Sequence, residues 1–336
     1  MSRTLSLPSR RRFIRIFAAA AGLMVVPIGR APQAGANLIT WRGTALGADA
    51  TLQIHHPDRN EAQRLIERSL AEVRRLERLF SLYQDDSALV ELNKTSVLVS
   101  PATELVELLK LSQHYAVLTD GAFDPTVQAL WELYAGYFSR EGADPAGPSK
   151  AAVQAAVARI GYRKLLVSGD RIVMPIGTAV TLNGIAQGYI TDKVVDLLRA
   201  EGIDHSLVDM GETRVIGTHP EGRPWNVAIS DPDEPRRIAT VLPIVDRAVA
   251  TSGAYGFRFD QTGRFNHLFN PATGACACLY RSVTTVAQKA TVADALSTAF
   301  SLMPRDRMKS VMRIAGIQMV YLIDSEGKAL QLEAEL

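Results

Sequence analysis

Leu165-Leu-Val-Ser-Gly-Asp-Arg-Ile-Val-Met174, followed from Thr181 by Leu-Asn-Gly-Ile-Ala-Gln-Gly-Tyr189, decides the fold class. Two short apolar runs, 165–167 and 172–174, flank Ser168-Gly169-Asp170, the composition of a hairpin turn. The glycine-bearing turn then leads into a helix predicted from about Ile185 to Glu201. A hairpin running directly into a helix breaks the regular βαβ rhythm of a doubly wound sheet.

The same mixture extends outward along the chain. A strand is expected near 50–54, and Asp58 opens an amphipathic helix with Ala62, Leu65, Ile66, Leu70, Val73, Leu76 and Leu79 at helical spacing. A second helix is expected from Ser100-Pro101 to about Val117, closed by Asp120-Gly121. The stretch 140–148 is rich in Gly, Pro, Ala and acids and reads as a loop, and a short helix follows over 149–160. Several strands run to about Thr285. Helices over roughly 291–303 and 305–315 then precede a hairpin of 318–323 and 328–333. Interleaved helices and antiparallel strand pairs make the class α+β.

Composition excludes several classes. Of 336 residues, 47% are hydrophobic and 21% charged, ordinary for a chain with a sizeable core, and the net charge of +2 gives no nucleic-acid footprint. Neither GxGxxG nor GxxxxGK[ST] occurs, so nucleotide binding has no Rossmann or P-loop basis. Cys276 and Cys278 lie one residue apart and read as two free thiols, supporting neither a zinc site nor a redox dithiol.

The N-terminal segment reads as an address. Ser9-Arg10-Arg11-Arg12-Phe13 fits the twin-arginine export pattern, an alanine-rich apolar stretch runs from Ile16 to Ile28, and Ala34-Gly35-Ala36 offers small residues for cleavage. Residues 1–36 are thus expected to be a signal peptide and 37–336 the mature, periplasmic domain. No later run reaches the roughly 18 apolar residues that a membrane helix requires, so no stable membrane insertion is expected.

Several segments carry candidate chemistry. Thr291-Val-Ala-Asp294-Ala-Leu-Ser-Thr298 puts an acid and a hydroxyl one helical turn apart. A carboxylate among alanine, valine and leucine is costly unless it is paired or holds a cation, and few protein oxygens suit Mg²⁺. T-x-x-D also fits a capping box at a helix start. Around Gly184 and Gly188, a glycine turn lets backbone N–H groups approach a phosphate, or simply turns the chain. His267, in Phe265-Asn-His-Leu-Phe-Asn-Pro-Ala-Thr-Gly274, is a candidate base or a packed core histidine. Ala122-Phe123-Asp124-Pro125-Thr126 either cradles a ligand or ends a helix.

The order of these segments resembles the successive motifs of the ApbE family. The resemblance begins at Phe80-Ser-Leu-Tyr83 with Ser87 and Asn93, and continues through Gly121–Thr126 and Gly184-Ile-Ala-Gln-Gly-Tyr189. It extends through Asp209-Met-Gly211 with Trp225, Thr251-Ser-Gly253 with Tyr255, and His267–Gly274 to Ala293-Asp294-Ala-Leu-Ser-Thr298. The resemblance implies an α+β fold of two closely packed subdomains with a flavin cleft between them. It implies Mg²⁺-dependent transfer of FMN from FAD, the substrate, to a threonine of an acceptor flavoprotein, releasing AMP. Carried over by residue, Gly184 (through its carbonyl), Asp294 and Thr298 are the metal ligands. Tyr83, Ala122, Phe123, Asp124, Thr181 and Gln187 fall at FAD-contacting positions, and His267 is the base. The pattern is similar to an exported branch associated with nitrous-oxide respiration, whose acceptor is membrane-bound.

The chain departs from the family pattern at several points. Arg42 precedes Gly43-Thr44 where methionine is usual, Thr181 and Gln187 replace an aspartate and a lysine, and Gly211-Glu212-Thr213 stands for Gly-Gly-Asp. Ala254 and Asn270 each replace an aspartate. Two other readings keep the same residues: hydrolysis of FAD to FMN and AMP, and a non-catalytic flavin-binding or assembly protein.

Overall fold

The computed structural model describes residues 23–25, 38–45, 47–234 and 236–334. Strand β1 (Leu23–Val25) comes first, then the hairpin β2 (Leu38–Ala45) and β3 (Ala48–His55). Helix α1 (Arg59–Phe80) starts where expected, because the Asp58 carboxylate accepts from the amides of Asn60 and Glu61. Next come α2 (Ala88–Thr95), β4 (Val97–Val99), α3 (Thr103–Leu118), α4 (Gln128–Phe138) and α5 (Lys150–Val157). The hairpin strands β5 (Leu166–Val167) and β6 (Arg171–Val173) precede α6 (Ala186–Ala200), which confirms the deciding stretch. Strands β7 (Ser206–Asp209), β8 (Thr213–Ile216), β9 (Trp225–Ser230), β10 (Ile238–Ile244), β11 (Ala248–Gly253) and β12 (Tyr280–Ala287) follow. Helices α7 (Ala290–Phe300) and α8 (Arg305–Ala315) and the hairpin β13 (Met319–Asp324) and β14 (Ala329–Glu333) complete the chain.

The main sheet has eight strands in the order β14-β13-β12-β11-β8-β7-β3-β2, and its neighbours pair antiparallel. Alternation along these strands separates two faces. Leu207, Val215, Val249 and Val286 pack with Trp225, Val227 and Ile229 of the smaller β1-β9-β10 sheet. Val208, Ile216, Ala248, Ala250 and Ala287 join the larger core under the helices. Alanines at 248 and 250 let α7 lie close on the sheet. A third cluster, including Leu130, Tyr134, Ile160, Phe265 and Phe269, fastens the segment 257–276 to α4 and α5.

Several sequence expectations shift in register. Helix α3 starts at Thr103 after Ala102, not at Ser100-Pro101, because Ser100 adopts φ 51° and its amide bonds Asp170 instead of capping the helix. Helix α5 ends at Val157, since Ala158–Ile160 close as a tighter turn before Gly161. Helices α2 and α4 are not visible as separate periodic runs in the sequence. Of the expected signal peptide, Leu23–Val25 pairs antiparallel with β9, and its remaining residues lie outside those described. Among the described residues, no helix is long and apolar enough to cross a membrane.

Candidate active site

Three elements converge on one cleft: the turn before α6, one side of α7 from Asp294 to Thr298, and the segment holding His267. The cleft is lined by Thr181, Gly184, Gln187, His267, Asp294 and Thr298, together with Glu212, Ser252 and residues of α4. The cleft is open to solvent, and its own cavity volume is about 110 Å³.

The approach of α6 to α7 sets this geometry. A Cβ on Gly188 would lie 2.3 Å from the Ala290 carbonyl oxygen and 2.8 Å from Asp294 Cβ. Only glycine lets the helices cross this closely. The Gly188 N–H, one of the first-turn amides of α6 that have no partner within the helix, donates to Asp294 Oδ2 at 3.0 Å. The Gly184 carbonyl lies ahead of the helix and its N-cap residue, Ile185. Gly184 itself sits against Thr298, since a Cβ on it would fall 3.0 Å from Thr298 Oγ1.

One turn further along α6, Asp192 accepts from the amides of Ala290 and Thr291 at 2.9 Å each and from Thr291 Oγ1 at 2.6 Å. Arg214 of β8 donates to Asp192 Oδ1 at 2.6 Å, and both side chains are buried. The cap of α7 is therefore Asp192, from another helix. The capping-box reading of Thr291 and Asp294 is overturned: Thr291 lies inside the helix, which leaves Asp294 free of a capping role.

Asp294 is 3% exposed, and among the described residues its carboxylate accepts a single hydrogen bond, from Gly188. Burial pushes its pKa up to about 7, against the pull of the Gly188 amide. Thr298 Oγ1 lies 3.3 Å from Ser252 Oγ, which also meets Ser297 Oγ at 2.7 Å. These donors fit a hard divalent cation: one buried, under-bonded carboxylate, hydroxyls and a free backbone carbonyl. Among the described residues, no group of three or more His, Cys, Asp or Glu side chains stands ready to hold a metal, so such a cation would draw on hydroxyl and carbonyl oxygens.

His267 is half-buried, and desolvation lowers its pKa to about 4, so the ring is neutral at pH 7. Its Nδ1 lies 3.2 Å from the Phe257 carbonyl. A carbonyl only accepts, so Nδ1 carries the hydrogen and Nε2 keeps its lone pair. Buried Asn266 holds this segment by donating to the Ala277 carbonyl at 3.0 Å and accepting from the Leu268 amide at 3.1 Å. The sequence reading quoted Asn266 without giving it this role.

The remaining expected contacts divide. Thr181 and Gln187 line the cleft, and the Gln187 amide packs over Gly211, where a Cβ would approach Nε2 to 2.3 Å. Phe123 is buried beside Gly184 but faces the main core, as do the half-buried Ala122 and Tyr83, whose phenol burial raises to about 12. The Asp124 carboxylate is engaged by Thr126 and the Tyr162 amide. Two departures keep local function: Thr181 Oγ1 accepts from the Asn183 amide, and Asn270 Oδ1 from those of Ala272 and Thr273, as aspartates would. Glu212, buried in the cleft wall, was read only as a departure from the family pattern.

An antiparallel sheet under crossed helices thus brings an acid and a hydroxyl into one cleft with a neutral histidine. Residues 46–321 match the ApbE family, and the chain belongs to it. It is similar to the FAD:protein FMN transferase of Klebsiella pneumoniae, 30% identical over 302 residues that cover 87% of this chain and 83% of the relative. The FAD:protein FMN transferase of Escherichia coli K12 is 29% identical over 334 residues, 95% and 94% of the two chains. Among solved structures, the ApbE protein of Thermotoga maritima matches with TM-score 0.78 and 29% identity over 89% of this chain and 97% of that one. The flavin transferase ApbE of Vibrio cholerae gives 0.74 and 27% over the same shares. These relatives support the family and the transferase, but not the narrower respiratory branch.

Proposed function

We propose that this chain is an FAD:protein FMN transferase that works in the periplasm after twin-arginine export, with FAD as substrate. The acceptor is a threonine of a flavoprotein, membrane-bound and facing the periplasm. The observation that carries this reading is the convergence of Asp294, Thr298 and the Gly184 carbonyl with neutral His267 on one cleft. The family and its named transferases supply the reaction.

Asp294, Thr298 and the Gly184 carbonyl are the residues that would hold Mg²⁺. When bound there it would neutralise charge on the FAD pyrophosphate. The protein's own groups do the rest. His267 Nε2 takes the proton of the threonine hydroxyl while Nδ1 stays fixed by the Phe257 carbonyl. The threonine oxygen forms a bond to the FMN phosphorus, the pyrophosphate P–O bond breaks, and AMP leaves with the bridging oxygen. Thr181 and Gln187 at the cleft wall lie where they would orient FAD.

A direct test incubates residues 37–336 with FAD, Mg²⁺ and an acceptor flavoprotein domain, and reads covalent flavin by mass spectrometry. The mass expected is the acceptor plus FMN less water, placed on a threonine. Label on another residue type would reject the threonine assignment.

A further inference from the structure

Glu212 lies between β7 and β8 at the wall of the same cleft. Its side chain is buried, 3% exposed, with the Thr251 amide nearby, yet its Oε2 has no hydrogen-bond partner. A buried carboxylate oxygen left unsatisfied costs several kcal/mol, and native structures keep such atoms only where something else completes them. Nearby Tyr255 shows the same deficit: its buried hydroxyl also lacks a partner. The negative charge of Asp294 is felt at Glu212 across the cleft. Two like charges walled off from water repel each other, and a cation between them turns that repulsion into attraction. Arg214, the nearest charged base along the chain, is committed to Asp192.

We propose that Glu212 is a further ligand of the cation site, joining Asp294 so that two carboxylates rather than one hold the divalent ion. This rests on the transferase reading for the site's purpose, but the binding itself does not depend on FAD. The cation's remaining positions belong to the Thr298 hydroxyl, the Gly184 carbonyl, water and substrate phosphate oxygens, a mixture that suits Mg²⁺. Glu212 also gives the site a reason to load metal before FAD arrives, because its free oxygen is unsatisfied in the protein alone.

The experiment titrates Mn²⁺, a Mg²⁺ substitute, into the full chain without flavin and follows the free-ion electron paramagnetic resonance signal. Glu212→Gln is expected to weaken binding roughly 10- to 100-fold, and Glu212→Asp to restore part of it. Thermal melts in chelator check the fold: Glu212→Gln, which puts a neutral group of the same shape where burial disfavours a charge, should melt at or above the parent while losing most of the metal-induced rise. If Glu212→Gln binds Mn²⁺ within twofold of the parent while Asp294→Asn does not bind, the Glu212 assignment is wrong and the transferase reading stands. If neither change affects Mn²⁺ binding, the cation site itself is wrong. AMP release by the parent, measured separately, reports on the transferase reading alone.

Discussion

The amide of Gly188 donates to Oδ2 of Asp294 at 3.0 Å, so the glycine turn of one helix and the acid of the next are held in a single piece. The bond exists because Gly188 has no side chain to keep Ala290 away. The same crossing that packs the core therefore aims the carboxylate. Stability and site geometry are coupled at this position.

Gly188→Ala tests that coupling. The added methyl would sit 2.3 Å from a backbone oxygen, which cannot rotate away. Overpacking of this kind costs about 1–3 kcal/mol, to be read from urea unfolding midpoints. The displaced α7 should also bind Mn²⁺ more weakly than the parent. A variant with unchanged midpoint and metal affinity would show that the crossing is looser than it looks.

Asp192→Ala removes the cap of α7 and strands Arg214. Breaking a buried pair by deleting one partner costs about 3–5 kcal/mol, with a further ~1 kcal/mol for the lost cap. Asp192→Asn, which keeps hydrogen-bonding capacity, should lose less. Urea denaturation of both variants checks the order, and equal losses would mean that the charge of Asp192, not its hydrogen-bonding shape, carries the whole effect.

His267→Asn should leave FAD binding intact and slow transfer by about 100-fold or more. The pH dependence of stability follows from the same ring. Its folded pKa is about 4, below the unfolded value of 6.5. Between those pH values the unfolded chain binds the proton that the native protein refuses. Stability is therefore lost as pH falls from about 6.5 to 4, and His267→Asn should flatten that part of the curve. Unfolding midpoints at pH 4.5, 5.5 and 7 measure it. A decline in the variant as steep as in the parent would assign the effect to other groups.

The elements with strong local signals could be read in the sequence. Asp58 before α1, the turn between β5 and β6, and Gly188 opening α6 each announce themselves within a few residues. What stayed hidden is non-local. The capping-box spacing of Thr291 and Asp294 is a legitimate local signal, overridden by Asp192 arriving from nearly one hundred positions earlier in the chain. Glu212 looked like a mere departure because nothing adjacent in sequence shows that its oxygen faces the cleft unpaired. The fixed tautomer of His267 depends likewise on the Phe257 carbonyl, brought there by a loop docked on α4 and α5. Motif order located the site residues; tertiary placement gave them their chemical state.

The most direct measurement mixes residues 37–336 with FAD, Mg²⁺ and a candidate acceptor domain, and follows AMP release together with flavin fluorescence on a denaturing gel, with Asp294→Ala alongside. The account predicts equimolar AMP and covalent flavin from the parent, and neither from Asp294→Ala. AMP without labelled acceptor would mean that water, not threonine, is the nucleophile. Covalent flavin made equally well by Asp294→Ala would contradict the cation site on which the mechanism rests.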